Sequence, residues 1–183
     1  MLRRPALVGL AIALVVPLAA CSETTRLPEA EPGSEVAPLF ASDEEALAAA
    51  TAAYEEYLAV LDTALQTGAT EEPSFADVAK GPALLDAEAT LADFVENGIR
   101  ITGQRTLTAS SLQQYVLTLD GGEVQIYVCE SVEGVDVLDA DGNSLVEPDR
   151  PNLTAFEALL VVDGDRLVVN ERQVWPGGGP CDG

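Results

Sequence analysis

The sequence predicts an α+β fold, with N-terminal helices packed on a curved antiparallel sheet of four to five strands. Three observations predict it. Apolar residues recur at three- and four-residue steps until Asn97-Gly98, and the pattern then becomes strand-like to the end of the chain. The turn signals Asp120-Gly121-Gly122 and Gly164-Asp165 each separate two apolar runs, as in hairpins. Helices followed by a run of antiparallel strands must cover one face of the sheet.

The first helix starts sharply. Ser42-Asp43-Glu44-Glu45 has the form of a capping box, in which the Ser42 hydroxyl and Glu45 carboxylate satisfy free N–H groups and the acids suit the helix dipole. Leu47, Ala50, Tyr54, Tyr57, Leu58, Leu61 and Leu65 then form one apolar stripe that stops before Thr67-Gly68. Glu71 to Gly81, with Pro73, reads as a loop pinned to the core by Phe75. A second helix runs from Pro82, at a first-turn position, through Leu84, Leu85, Glu88, Leu91, Ala92, Phe94 and Val95 to Asn97-Gly98.

Strands follow. Ile99 to Thr108 reads as one extended segment; Leu112 to Leu119 and Glu123 to Glu130 flank the first hairpin turn; Leu153 to Asp163 and Arg166 to Trp175 flank the second. Val132 to Pro151 is an irregular connection with a short strand near Val135 to Leu138. Residues 42–183 thus read as a single domain of about 140 residues, a length that supports one core.

The N-terminus carries a different signal. Arg3-Arg4 precede an uncharged stretch from Ala6 to Ala20, interrupted by Pro17 and ending in Leu18-Ala19-Ala20-Cys21. That core is about 15 residues, short of the roughly 20 needed to span a bilayer, so residues 1–20 read as a signal peptide. The four residues resemble the lipobox of bacterial lipoproteins. The resemblance implies cleavage between Ala20 and Cys21, acyl chains on the Cys21 sulfur, and a location on the extracytoplasmic face of the cell membrane. Sec or twin-arginine export both stay open, as does an envelope with one membrane or two. Residues 21–41, rich in Glu, Pro, Thr and Ser, read as a disordered acidic tether, roughly 25 Å long as a flexible coil.

Composition removes several function classes. The chain has 9 basic and 31 acidic residues, a formal charge of −22. Removal of residues 1–20 takes two arginines and no acid, leaving −24. Such a field repels nucleic acid and anionic headgroups, so membrane attachment must come from the acyl chains, which contribute about 0.8 kcal/mol per buried methylene. There is no histidine, which excludes His-based triads and His-containing zinc sites. With Cys21 lipidated, Cys129 and Cys181 remain as an even pair in an oxidising compartment, and a disulfide is the simple reading. Two free thiols would be the alternative, without a CxxC spacing to support it.

From Ser42 to Cys181 the order of elements resembles the NTF2-like, or cystatin-like cone, superfamily, as in small lipid-anchored proteins of high-GC Gram-positive bacteria. Cys129-Glu130-Ser131, Asp141-Gly142-Asn143 and the terminal Cys181 fit that pattern. The enzymes of the superfamily resemble ketosteroid isomerase or limonene epoxide hydrolase, and the resemblance implies a carboxylic acid facing a tyrosine in an apolar cavity. Tyr54, Tyr57, Tyr115 and Tyr127 are candidate donors; Asp86, Asp93 and Glu157 are candidate acids, and Glu157 and Glu171 stand out inside largely apolar strands. No spacing selects among them. Asp139, Asp141 and Asn143 invite a calcium reading, but Gly142 precedes the third ligand and a turn explains them better. Asn152-Leu153-Thr154 is a glycosylation sequon by chance, and Trp175 either lines the cone mouth or packs the core.

Two function classes follow. The first is a non-catalytic, lipid-anchored domain that binds a protein, glycan or small apolar ligand, with no cofactor and no metal. The second is a pocket enzyme using Asp or Glu with Tyr, which requires an enclosed cavity holding a desolvated carboxylate opposite a tyrosine. A cone filled by its own side chains excludes the second.

Overall fold

The computed structural model describes residues 39–117, 121–177 and 179–181. The signal peptide, Cys21 and the tether up to residue 38 lie outside the described residues, as does residue 120 of the first hairpin turn. No helix among the described residues is long and apolar enough to cross a membrane.

The fold is α+β, with helices packed on antiparallel strands. Helix α1 (Asp43–Thr67) is followed by α2 (Phe75–Val78) and α3 (Gly81–Asn97), then by strands β1 (Arg100–Thr102), β2 (Thr106–Val116), β3 (Glu123–Ser131), β4 (Asp136–Leu138), β5 (Leu153–Asp163) and β6 (Arg166–Val174), and a 3-10 turn at Gly179–Cys181. The main sheet has the order β2-β3-β5-β6, all antiparallel, and β1 pairs with β4 in a separate ribbon.

Helix α1 begins as its sequence requires. The Ser42 hydroxyl accepts the Glu45 N–H at 3.2 Å, while the Glu45 carboxylate accepts from Ala41 at 2.7 Å, one residue earlier than a standard capping box. Gly68, at φ 75°, closes the helix. The stripe at Tyr54, Tyr57, Leu58, Leu61 and Leu65 is buried against Val124, Ile126 and Val128, the inward residues of β3. Each such aliphatic side chain stabilises the fold by about 1.5–3 kcal/mol.

Two expectations from periodicity are corrected. The segment Glu71 to Gly81 is not all loop: Phe75–Val78 forms α2, and Lys80 donates its N–H to the Val169 carbonyl at 2.9 Å, covering part of the β6 edge. Phe75 is buried there.

Ile99 to Thr108 is not one strand. The chain breaks at Gly103, whose φ is 77° and whose Cα hydrogens face the Gly134 carbonyl so closely that a side chain would collide. Strand β2 then starts at Thr106, earlier than Leu112, because Thr and Ser there give no apolar alternation to read.

A third feature controls side-chain direction in β6. Leu159 faces Glu171 and Leu160 faces Val169, so Asn170 is an extra, bulged residue. Before the bulge the odd residues Leu167 and Val169 face the helices; after it the even residue Arg172 does, alongside inward-facing Ala158. The register flips. Helix α3 starts against this bulge: Gly81 has φ 51°, and a Cβ there would lie 2.6 Å from the Asn170 side-chain oxygen.

Candidate functional site

Among the described residues, three places stand out for polar chemistry or open surface. The first lies between α1 and the sheet. Glu130 follows Val124, Ile126 and Val128 in the inward alternation of β3 and is 2% exposed. Arg172, from β6, reaches it across β5 by lying on the Phe156 ring, with the guanidinium carbon 3.7 Å from the ring centroid. Its Nη2 donates to both Glu130 oxygens at 2.8 Å, and its Nε donates to the Tyr54 hydroxyl at 2.7 Å. Tyr54 in turn donates to Glu130 Oε1 at 2.5 Å. The three groups form a closed network.

Burial pushes the Tyr54 phenol well above its ordinary 10.0; Arg172 opposes this and Glu130 adds to it. For Arg172, burial works against the charge, but the Tyr54 and Glu130 oxygens outweigh it and raise the guanidinium above its usual range. The arrangement is an ion pair with every principal partner satisfied. A carboxylate opposite a tyrosine in a desolvated setting is what the pocket-enzyme reading demands. The pair is Glu130 and Tyr54, however, not an acid singled out from the sequence, and Arg172 occupies both.

Apolar side chains pack around that pair. Tyr57, Leu58, Leu61, Ile126, Val128 and Leu160 fill the space between α1 and the sheet, each 4% exposed or less. Tyr57 is raised chiefly by burial.

The second place is the outer face of the sheet. Glu157 accepts from Gln125 Nε2 at 2.6 Å through one oxygen and from Gln173 Nε2 at 2.8 Å through the other; Gln114 donates to Gln125 Oε1 at 3.1 Å. One hydrogen-bonded ladder therefore crosses all four strands. It floors a shallow depression of about 170 Å³ that Glu123, Leu159 and Glu171 also line. Glu171 is exposed here, and Glu157 half-buried: both are outer-face acids, not a catalytic pair. Tyr127 packs on Trp175 with ring centroids 4.8 Å apart, and Gly177 and Gly179 lie against the indole, so Trp175 packs rather than lining a cavity mouth. Cys129 on this face is bonded to Cys181, which holds the 3-10 turn against the sheet.

The third place is a groove of about 610 Å³ between α3 and the segment from Gly68 to Ala76. Leu91, Ala92 and Val95 form its α3 wall, flanked by Glu88 and Glu96, and Phe75 and Ala76 lie on the other side. Leu85, one helical turn before Glu88, is 65% exposed, and Val95 is 55% exposed. Asp86 and Asp93 are exposed on α3 and meet no tyrosine hydroxyl. Tyr115 packs edge-on to Phe40 at 5.9 Å.

The Asp139 loop is a turn held by its own carboxylate. Asp139 Oδ1 accepts from the Asp141 and Asn143 N–H groups at 2.9 and 2.8 Å, and bonding to Asn143 holds its carboxyl pKa below the usual carboxylate value. Among the described residues no group of three or more Cys, Asp or Glu is placed to hold a metal ion.

Sequence reasoning missed Glu130, Arg172, Asp62 and Arg105. Asp62 is 1% exposed and accepts from the Arg105 backbone N–H at 2.8 Å and from its Nε at 2.6 Å. Arg105 Nη2 lies 2.5 Å from Oδ1, outside hydrogen-bonding direction. Two signals were available: Glu130 keeps the parity of Val124 to Val128, and Asp62 sits four residues after Leu58 on the buried stripe.

No protein-family model matches the chain, and no curated protein matches it. Several solved structures are similar, two of them as follows. The intermembrane-space region of the chloroplast protein ARC6 is 14% identical, with a TM-score of 0.48 over 72% of this chain and 97% of that one. Aln2 from a Streptomyces species is 18% identical, with a TM-score of 0.41 over 70% of this chain and 88% of that one. Likenesses this distant say nothing about what the chain binds or does.

Proposed function

We propose that this protein is a lipid-anchored, extracytoplasmic binding domain of the NTF2-like type, attached to the membrane through Cys21 and without catalytic activity of its own. The observation that carries the non-catalytic reading is the engagement of the inward acid by an arginine. The place where a cone-type enzyme would hold substrate contains Tyr57, Leu61, Ile126 and Leu160, and its one acid–tyrosine pair is tied to Arg172.

Binding then falls to the surface, and the groove beside α3 supports it best. Ligand sites span about 300–1,000 Å³ and are mostly apolar; this groove has about 610 Å³ with Leu91, Val95 and Phe75 in its walls. The anchoring half of the proposal rests on Leu18-Ala19-Ala20-Cys21.

Each half has its own test. Cells fed a fatty-acid analogue should label the wild-type chain and spare Cys21→Ser; equal labelling overturns the anchor. Nile red, an apolar dye, should bind the full chain and be weakened at least threefold by Val95→Lys; binding indifferent to that change removes the groove as a site.

A further inference from the structure

Resting on the reading of the α3 groove as a binding surface, we propose that its occupant is a cationic amphipathic helix of a partner protein. Shape is the first argument. Glu88, Ala92, Val95 and Glu96 recur at three- and four-residue steps with Leu91 beside them, so the wall is one helical stripe, which the exposed Leu85 extends by a turn beyond the groove. From Leu85 to Glu96 it runs roughly 17 Å, about three turns. A second helix laid along such a stripe places apolar residues at i, i+3, i+4 and i+7 between Leu91, Val95 and Phe75.

Charge is the second argument. Between Ala69 and Asn97 the chain has seven acids and a single basic residue, Lys80. That lysine is engaged elsewhere, with its Nζ 2.6 Å from Asp163. Glu88 and Glu96 flank the apolar wall at a spacing of eight residues, and no basic residue lines the groove. Lysines or arginines beside the apolar stripe of a partner would meet these carboxylates at the rim. An anionic lipid surface would be repelled. A second copy of this chain would bring acid against acid, which disfavours self-association.

The test uses the full chain in nanodiscs of uncharged lipid, with empty nanodiscs as the blank. Three synthetic helical peptides share Leu at i, i+3, i+4 and i+7 and differ only at the flanking positions, which are Lys, Gln or Glu. The Lys peptide should bind at least tenfold more tightly than the Gln peptide, the Glu peptide should not bind, and added salt should weaken the Lys peptide.

Val95→Lys and the double change Glu88→Lys with Glu96→Lys should each weaken the Lys peptide tenfold or more. Glu123→Lys with Glu171→Lys, on the sheet's outer face, should leave it within twofold. Circular dichroism and thermal midpoints check that the variants are folded. If the outer-face pair weakens binding as much as the groove pair, the attraction is diffuse and the proposal is overturned.

Equal binding of the Lys and Gln peptides, lost in Val95→Lys, overturns the charge argument and leaves the groove as a binding surface. Nile red binding that depends on Val95, with no peptide bound, overturns the helical partner and keeps a small apolar ligand. Neither dye nor peptide bound overturns both readings. Dimerisation abolished by Val95→Lys overturns the proposal in favour of a second copy.

Discussion

Cys129 and Glu130 are neighbours in β3 that point to opposite faces of the sheet, and each fastens a different segment onto its face. Cys129 is bonded to Cys181 and holds the chain's last turn over the outer face. Glu130 accepts from Tyr54 of α1 and Arg172 of β6 on the inner face. One dipeptide thus clamps both sides of the same strand.

The Glu130 network predicts asymmetric mutational effects. Removing one partner of a buried ion pair leaves the other charged and unmet, so Glu130→Leu or Arg172→Met alone should destabilise by about 3 kcal/mol or more. The double variant should recover much of that, because two apolar groups replace two paired charges. Urea denaturation of the four proteins measures the cycle; a double variant as unstable as the sum of the singles contradicts the coupling.

Tyr54 predicts the alkaline limit of stability. Its phenol is raised above the unfolded value of 10.0, so the folded state holds that proton more tightly. The contribution is therefore fully present below pH 10 and is lost as pH rises above it. Denaturation midpoints should fall above that pH, and the fall should be shallower in Tyr54→Phe. Identical slopes for the two proteins would rule the network out as the cause.

The disulfide closes a long loop. Cys129 and Cys181 are 52 residues apart, and a loop of that length corresponds to about 4 kcal/mol in the chain-entropy picture. Cys129→Ser with Cys181→Ser should lower stability by that order and free the indole of Trp175, against which Gly177 and Gly179 lie. Indole fluorescence should shift to the red before global unfolding; an unchanged spectrum argues against the clamp.

Asp62 predicts a local effect. It holds Arg105 through the backbone and side chain, and Gln66 donates to the Gly103 carbonyl at 2.7 Å, so α1 fixes the break between β1 and β2. Asp62→Ala should destabilise by about 2–3 kcal/mol, since it leaves the largely buried Arg105 side chain without its carboxylate partner. Trypsin should then cut after Arg105 faster than after Arg166, an order reversed in the wild type because Arg166 is the more exposed.

Strand β6 is where simple alternation fails. Simple alternation from Leu167 and Val169 turns Glu171 and Gln173 inward and Arg172 outward, which makes Glu171 look like a buried acid. The bulge at Asn170 reverses this, so Arg172 joins the core and Glu171 faces solvent. Nothing in Val168-Val169-Asn170-Glu171 marks that extra residue, because it is set by pairing with Leu159 and Leu160 and by the approach of Gly81.

Periodicity along the chain, by contrast, located α1, α3 and the paired strands β5 and β6 to within a residue or two, with Gly68 and Gly98 as stops. Alone, then, the sequence determined the order and type of the main elements and the α+β class, because burial alternation and caps are relations between near neighbours. Only the tertiary structure decided which charges meet, where the first strand breaks and where an apolar stripe is left uncovered. Those are relations between residues 42 or 43 apart or more, such as Glu130 with Arg172 and Asp62 with Arg105, fixed by register, by one inserted residue and by packing.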